Sequence, residues 1–210
     1  MNEHEIMAEL INHGAILKGH FVLTSGRHAD TYVNKDAVYP HMALMEMLSG
    51  HMAEPFREMR VETVIGPAVG GVILSTRVGI WLYEETASDI MAVYADKEQG
   101  GGFVIKRGYD QWVKDRRVLV VEDVMTTGGS ARQTVDITRA TGGDIVGVSV
   151  ICNRGGVTTE DLGVPVLHSL VNVPLESWPR DECPLCAEKR DINTDVGKGR
   201  EYLAQLQKAA

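Results

Sequence analysis

The chain has 210 residues, 44% of them hydrophobic, and a formal net charge of −8. That length allows one sizeable core, and the acidic balance argues against nucleic acid or an anionic membrane as partner, because both would repel the molecule as a whole. No apolar run approaches the roughly 20 residues that span a bilayer, MNEHEIMAEL carries acids where a secretory signal carries bases, and three cysteines are too few for a disulfide framework, so a cytoplasmic protein is expected.

In chain order, Ile6, Leu10, Ile11 and Leu17 fall near one face of a first helix. HFVLTSGRHADTYVN reads as two short strands around a Ser25-Gly26 turn, and Leu44, Met45, Leu48 and Met52 mark a second helix. VETVIGP is a strand, GGVILSTRVGIWLYEE a helix behind a glycine turn, and IMAVYAD the next strand. QGGGF then interrupts the pattern. VLVVED is the strongest strand, SARQTVDITRA a helix, and DIVGVSVICN another apolar strand. Helices and strands alternating in this way predict an α/β fold: a central, mostly parallel sheet flanked by helices. The pattern weakens after residue 165, so a single domain is expected, with a core over about 41–165 and a small hood from about 1–40 with the tail 166–210.

The stretch VLVVEDVMTTGGSA runs an apolar strand into two carboxylates and then into hydroxyls and glycines. In an open parallel sheet, ligands bind beyond the carboxyl ends of the strands, which is where Glu122 and Asp123 arrive. Val124 and Met125 lead into Thr126, Thr127, Gly128, Gly129 and Ser130, a loop whose backbone N–H groups converge at a helix N-terminus and whose hydroxyls add donors. Such a pocket suits a phosphate monoester. The acids would be repelled by a phosphate and are better placed to accept hydrogen bonds from a sugar diol, so the expected ligand is a sugar phosphate. No Gly-Lys-Ser/Thr closes the loop and no G-x-G-x-x-G precedes it, which removes the Walker A and dinucleotide readings.

The acid pair followed by T-T-G-G-S resembles the phosphoribosyl diphosphate (PRPP) motif of the type I phosphoribosyltransferases. GHFVLTSGRHADTYVN, IGPAVGGVILS and Arg154 resemble the orotate branch of that family. The resemblance implies transfer of ribose 5-phosphate from PRPP to orotate, with magnesium carried mainly by the diphosphate rather than by a protein metal site. It implies that residues 122–130 and Lys97 bind PRPP, that Lys97, Glu122 and Asp123 are catalytic, and that Thr126 and Arg154 bind orotate under backbone from Tyr32 and Val33. It also implies a homodimer whose lid, around Gly100, Gly101 and Gly102, is shared across the interface. The chemistry asks for the same parts: acids near the ribose, where positive charge develops, and cations such as Lys97, with Lys106 and Arg107 as further candidates, near the departing pyrophosphate. The chain departs from the branch at Gly70 and Thr24, where many members carry lysine, and only Lys97 matches the usual cationic lid.

Several features keep two readings. GPAVGG is either a turn that lets a helix pack closely on the sheet or a diphosphate-contacting loop. Lys97, Lys106 and Arg107 are lid cations or solvated charges, and Arg27 and His28 read as structural or surface residues. Cys183 and Cys186 form a lone C-x-x-C, read as packed reduced thiols ahead of a disulfide or a zinc site shared across a dimer, since Cys152 and the scattered histidines offer no metal-ligand spacing. The alternatives to orotate transfer are a phosphoribosyltransferase for another base and a non-catalytic PRPP-binding regulator. The regulator would need a nucleic-acid surface that the acidic chain does not offer.

Overall fold

A computed structural model describes residues 1–173 and 176–209. In chain order its elements are α1 (Glu3–Asn12), β1 (Ile16–Val22), β2 (His28–Val33), α2 (Met42–Ala53), β3 (Thr63–Pro67), α3 (Gly70–Thr86), β4 (Met91–Lys97), β5 (Phe103–Val104), β6 (Arg117–Met125), α4 (Gly129–Ala140), β7 (Asp144–Asn153), α5 (Thr159–Leu162), β8 (Leu167–Asn172), α6 (Pro184–Ala187) and α7 (Gly199–Ala209). They fall into two compact units, Met1–Ile6 with His41–Pro174, and Met7–Pro40 with Leu175–Ala210. Among the described residues no helix is long and apolar enough to cross a membrane.

The first unit is a six-stranded sheet in the order β5-β4-β3-β6-β7-β8, parallel except for the β4–β5 hairpin at one edge. Alternation along β6 divides the core into two layers. Val118 and Val120 join Ile65, Val148 and Val150 in a cluster capped by Ala131 and Val135 of α4 and Leu162 of α5. Val121 faces the other way, as does its register partner Ser149, whose hydroxyl donates to the Met52 carbonyl at the end of α2. On that side α2 and α3 bury Leu44, Met45, Leu48, Met52, Leu74, Val78 and Leu82. Each of these side chains contributes about 1.5–3 kcal/mol by leaving water.

GPAVGG has its packing role here. A Cβ on Gly66 would stand 2.7 Å from the Gly71 Cα and 2.9 Å from the Val121 carbonyl oxygen, so only glycine lets the first turn of α3 rest on β3 and β6.

Three elements differ from the sequence pattern. Leu17 lies in β1 rather than on the first helix, because Gly14 adopts a left-handed φ of 71° and the Ala15 N–H turns back to the Leu10 carbonyl, ending α1. β5 is only two residues long, too short to show a period. β8 is an edge strand in which His168 and Ser169 break the apolar run.

The second unit is the antiparallel pair β1–β2 together with tail segments. Trp178 exchanges both backbone hydrogen bonds with His28, Asn193 N–H donates to the His20 carbonyl, and Lys198 N–H donates to the Val22 carbonyl. Phe21, Val22 and Ala29 are buried, but so are His20 and His28, at 2% and 0% exposure, and Cys183, at 2%. Burial, with His20 and Arg180 nearby, pushes the His28 imidazole below its usual range.

Glu62 ties the start of β3 to β6. Its carboxylate accepts the Arg117 backbone N–H at 3.0 Å and Arg116 Nη1 at 2.9 Å, and these two contacts, in that order, lower its pKa. A carboxyl lowered on folding stabilises above its unfolded value and loses that contribution as pH falls through its folded value. The side chain is 38% exposed, so solvent screening reduces the effect. Glu62→Gln should cost on the order of 0.5 kcal/mol near neutral pH, with the difference from wild type fading in acid; urea unfolding at neutral and acidic pH reads this directly.

Candidate active site

The chain leaves β3 through α3 to β4 on one side, while β6 pairs on the other side of β3. The gap between β3 and β6 is therefore a topological switch point, and the carboxyl ends of these strands are where a ligand crevice forms. Pro67, Lys97, Met125 and Asn153 all end strands at this edge.

β6 delivers the candidate site. Positions 118–123 are buried, and the chain then turns through Thr126 and Thr127 into α4. Gly128 caps α4 with a left-handed φ of 72°, and its carbonyl takes the Arg132 N–H at 2.7 Å. The first-turn amides of α4 have no acceptor within the helix and carry its positive dipole end. They open on a pocket of about 140 Å³ lined by Glu122 and by residues Val124 through Ala131. Hydroxyls, amides and one carboxylate therefore surround a space suited to an oxyanion with a hydroxylated neighbour.

Glu122 and Asp123 are 6% and 4% exposed. Glu122 Oε1 accepts the Asp123 N–H at 3.0 Å, and Asp123 Oδ1 accepts the Val124 N–H at 2.7 Å. Strand alternation sends the two side chains to opposite faces, so Glu122 lines the pocket and Asp123 is not part of its lining.

The end of β7 completes the neighbourhood. Met125 pairs with Asn153, and the Arg154 N–H donates to the Met125 carbonyl at 2.9 Å, which brings the backbone at Thr126 and at Arg154 together. The buried Asn153 amide clamps the following turn, donating to the Val157 carbonyl at 2.8 Å and accepting its N–H at 3.1 Å. Gly155 lies directly against the Thr126 carbonyl, and a Cβ on Gly128 would stand 2.9 Å from Val157 Cγ1. Sequence reasoning passed over Asn153, Gly155 and Val157, which shape the loop from behind. The signal was NRGGV, an amide and two glycines directly after an apolar strand. Cys152, opposite Val124, has its thiol pushed up to about 11 by burial and is inert at ordinary pH.

Lys97 ends β4 exposed and outside the pocket lining, opposite Phe103 across a tight hairpin. Gly100, Gly101 and Gly102 all adopt positive φ, at 102°, 99° and 93°, which side chains rarely allow. A Cβ at Gly102 would come 4.0 Å from Gln133 of α4, so the base of the hairpin lies beside that helix. Arg107 is engaged: its Nε stands 3.3 Å from Asp96, which raises its pKa, and its guanidinium lies 5.7 Å from the Tyr94 ring centre. Lys106, the preceding residue, is exposed.

Residues 35–177 match the phosphoribosyl transferase domain family. The chain is a member of the phosphoribosyltransferase family. This phosphoribosyltransferase is 38% identical over 173 residues to the orotate phosphoribosyltransferase of Caldanaerobacter subterraneus subsp. tengcongensis, covering 82% of this chain and 86% of that one. It is 36% identical over 195 residues to the orotate phosphoribosyltransferase of Thermoanaerobacter sp., covering 90% and 94%. The crystal structure of the orotate phosphoribosyltransferase from Aeropyrum pernix superposes with a TM-score of 0.62 at 26% identity, over 80% of this chain and 93% of that one.

Because Gly155 supports the Thr126 carbonyl, Gly155→Ala should displace the β6–α4 loop while leaving the sheet intact. Hydrogen exchange should quicken at residues 126–131 but stay unchanged in β3; equal change in both would show a global effect instead.

Proposed function

We propose that this phosphoribosyltransferase transfers the 5-phosphoribosyl group from PRPP to orotate, giving orotidine 5'-monophosphate and pyrophosphate in pyrimidine biosynthesis. The observation that carries the reading is the oxyanion pocket at the N-terminus of α4, with Glu122 in its wall and Arg154 beside Thr126. The curated relatives named for this activity support the choice of base.

In this reading, residues Val124 through Ser130 hold the 5-phosphate through amides and hydroxyls, and Glu122 and Asp123 accept the ribose hydroxyls. The C1–O bond to the diphosphate breaks, a C1–N1 bond to orotate forms, and the N1 proton leaves. Positive charge grows on the ribose ring, where the two carboxylates favour it, and negative charge grows on the pyrophosphate, where Lys97 would meet it. Arg154 offers a planar pair of donors to the orotate carboxylate, with Thr126 adding a hydroxyl. A Cβ at Gly100 or Gly101 would meet nothing within 4 Å, and such open backbone suits a lid that excludes water.

Glu122 is the one carboxylate in the pocket lining, and a carboxylate oxygen suits a hard cation arriving on its ligand's phosphates. Glu122 is the residue that would face magnesium carried by the diphosphate, and the ion would supply neutralisation of leaving-group charge. A homodimer belongs to the same reading: Met42 of α2 and Ile80 and Tyr83 of α3 are exposed at 61%, 40% and 58%, apolar surface that a second copy would cover. A cytoplasmic location fits three cysteines that are all free.

Purified protein with PRPP and magnesium should consume orotate, read as loss of its absorbance, and leave uracil, hypoxanthine, xanthine and adenine untouched. Consumption of a different base would overturn the orotate assignment, and no reaction with any base would overturn transfer. Lys97→Ala should lower kcat/KM by on the order of 100-fold while leaving the melting temperature unchanged, as expected for a side chain that meets charge only in the transition state. A near wild-type rate would remove Lys97 from the chemistry.

A further inference from the structure

The second unit contains a cluster that phosphoribosyl transfer does not use. His20 and His28, Cys183 and Cys186 bring one nitrogen or sulfur each to within 4.8 Å of one another. His20 Nε2 lies 2.7 Å from His28 Nδ1, 3.7 Å from Cys183 Sγ and 3.7 Å from Cys186 Sγ, and Cys186 Sγ lies 3.4 Å from His28 Nδ1. Four ligands on a tetrahedral zinc, with bonds of about 2.0 Å to nitrogen and 2.3 Å to sulfur, would be spaced ~3.3 Å for N–N and ~3.6 Å for N–S. Three of the four measured separations fall within a few tenths of an ångström of that shell, and the histidine pair is closer still, as neutral groups drawn together without a cation would be.

The surroundings point the same way. His20 Nδ1 stands 2.9 Å from the Arg190 carbonyl, an acceptor only, so this nitrogen carries the proton and Nε2 presents its lone pair to the other three groups. A backbone carbonyl holding the far nitrogen of a histidine is the usual support for a metal ligand. The ligands also come from two segments far apart in the chain, the N-terminal hairpin and the C-terminal tail. His28 pairs with Val22 across the β1–β2 ladder, so His20, two residues earlier, shares its face, and a bulge between Lys18 and Phe21 adjusts that face. Cys183 stands at the N-cap of α6 and Cys186 within its single turn, which Pro184 begins. A small unit built from two distant chain segments has a thin apolar core, and such units rely on cross-links.

We infer that His20, His28, Cys183 and Cys186 bind one structural zinc ion, which clamps the N-terminal hairpin to the C-terminal tail within the second unit. Two thiolates and two imidazoles form a closed four-ligand set, with no position left for water or substrate, so the site is structural rather than catalytic. Binding releases the thiol protons to solvent and changes no oxidation state. The proposal is independent of the transferase reading, because its measurements involve no turnover.

The test uses the full chain, purified without a metal-affinity tag and without chelator. Elemental analysis should find one zinc per chain in wild type and in Cys152→Ser, and none in the double variant Cys183→Ser with Cys186→Ser. Replacing the metal with cobalt(II) should give the intense visible bands of a tetrahedral site and a sulfur-to-cobalt charge-transfer band. Stripping the metal should lower the melting temperature, and equimolar zinc, not magnesium, should restore it. Should the double variant fail to fold, Cys186→Ala keeps three ligands and should lose zinc to a competing chromophoric chelator at least tenfold more readily than wild type. Wild-type protein that remains without zinc after incubation with zinc, or a cobalt spectrum lacking thiolate charge transfer, would overturn the assignment.

Discussion

Opposite β6, strand β7 carries one residue more than its partner: Val118 pairs with Ile145, but Leu119 pairs with Gly147. That shift slides the rest of the ladder by one position, so Met125 meets Asn153 rather than Cys152. A slip of one residue moves every side chain to the other face of a sheet, and here it decides which residue leads the loop beside the pocket. Asn153 can clamp Val157 because it stands where the strand ends, while Cys152 is left in the core as an inert thiol. Gly147 makes the shift feasible: a Cβ there would stand 2.5 Å from Phe56 Cε1 and 2.9 Å from the Val166 carbonyl oxygen. The bulge thus sets which residue ends β7, and Gly155, two residues on, lies against the Thr126 carbonyl.

The second constraint is electrostatic. β6 is hydrogen-bonded on both sides and covered by helices on both faces, so acids placed on it must be satisfied locally. Glu122 and Asp123 each accept the next backbone N–H, which holds them at the strand end. In a chain with a net charge of −8, an anion pocket made from the N-terminus of α4 and three hydroxyls needs no cation of its own. Cations enter from elsewhere. Lys97 stands exposed at the end of β4, while Arg107 is drawn to Asp96 and Tyr94, which separates two residues that the sequence could only group as lid charges.

The two units follow different rules. The first is stabilised by apolar layers on both sides of a sheet; the second buries two histidines of its hairpin and a cysteine of its tail. His28, which reads as a structural residue in the sequence, is fully buried and paired through its backbone to Trp178. Buried polar groups at the centre of a small unit are costly unless they share partners, which is why that cluster calls for a ligand while the apolar layers do not.

The sequence by itself determined the alternating α/β architecture, the strand that carries Glu122 and Asp123 and the hydroxyl- and glycine-bearing loop behind it, because each is encoded by neighbours within a dozen residues: an apolar period, a glycine turn, an acid pair. It did not determine β8, whose edge position tolerates His168 and Ser169, nor the end of α1, which turned on Gly14 adopting a left-handed conformation. It offered Cys183 and Cys186 as half of a possible zinc site but not their partners His20 and His28, because the two pairs lie some 160 residues apart and no local spacing records a contact between distant segments. Only the tertiary structure decided such long-range pairings, since register, bulges and chain crossings are set by how whole elements pack and not by any one stretch of residues.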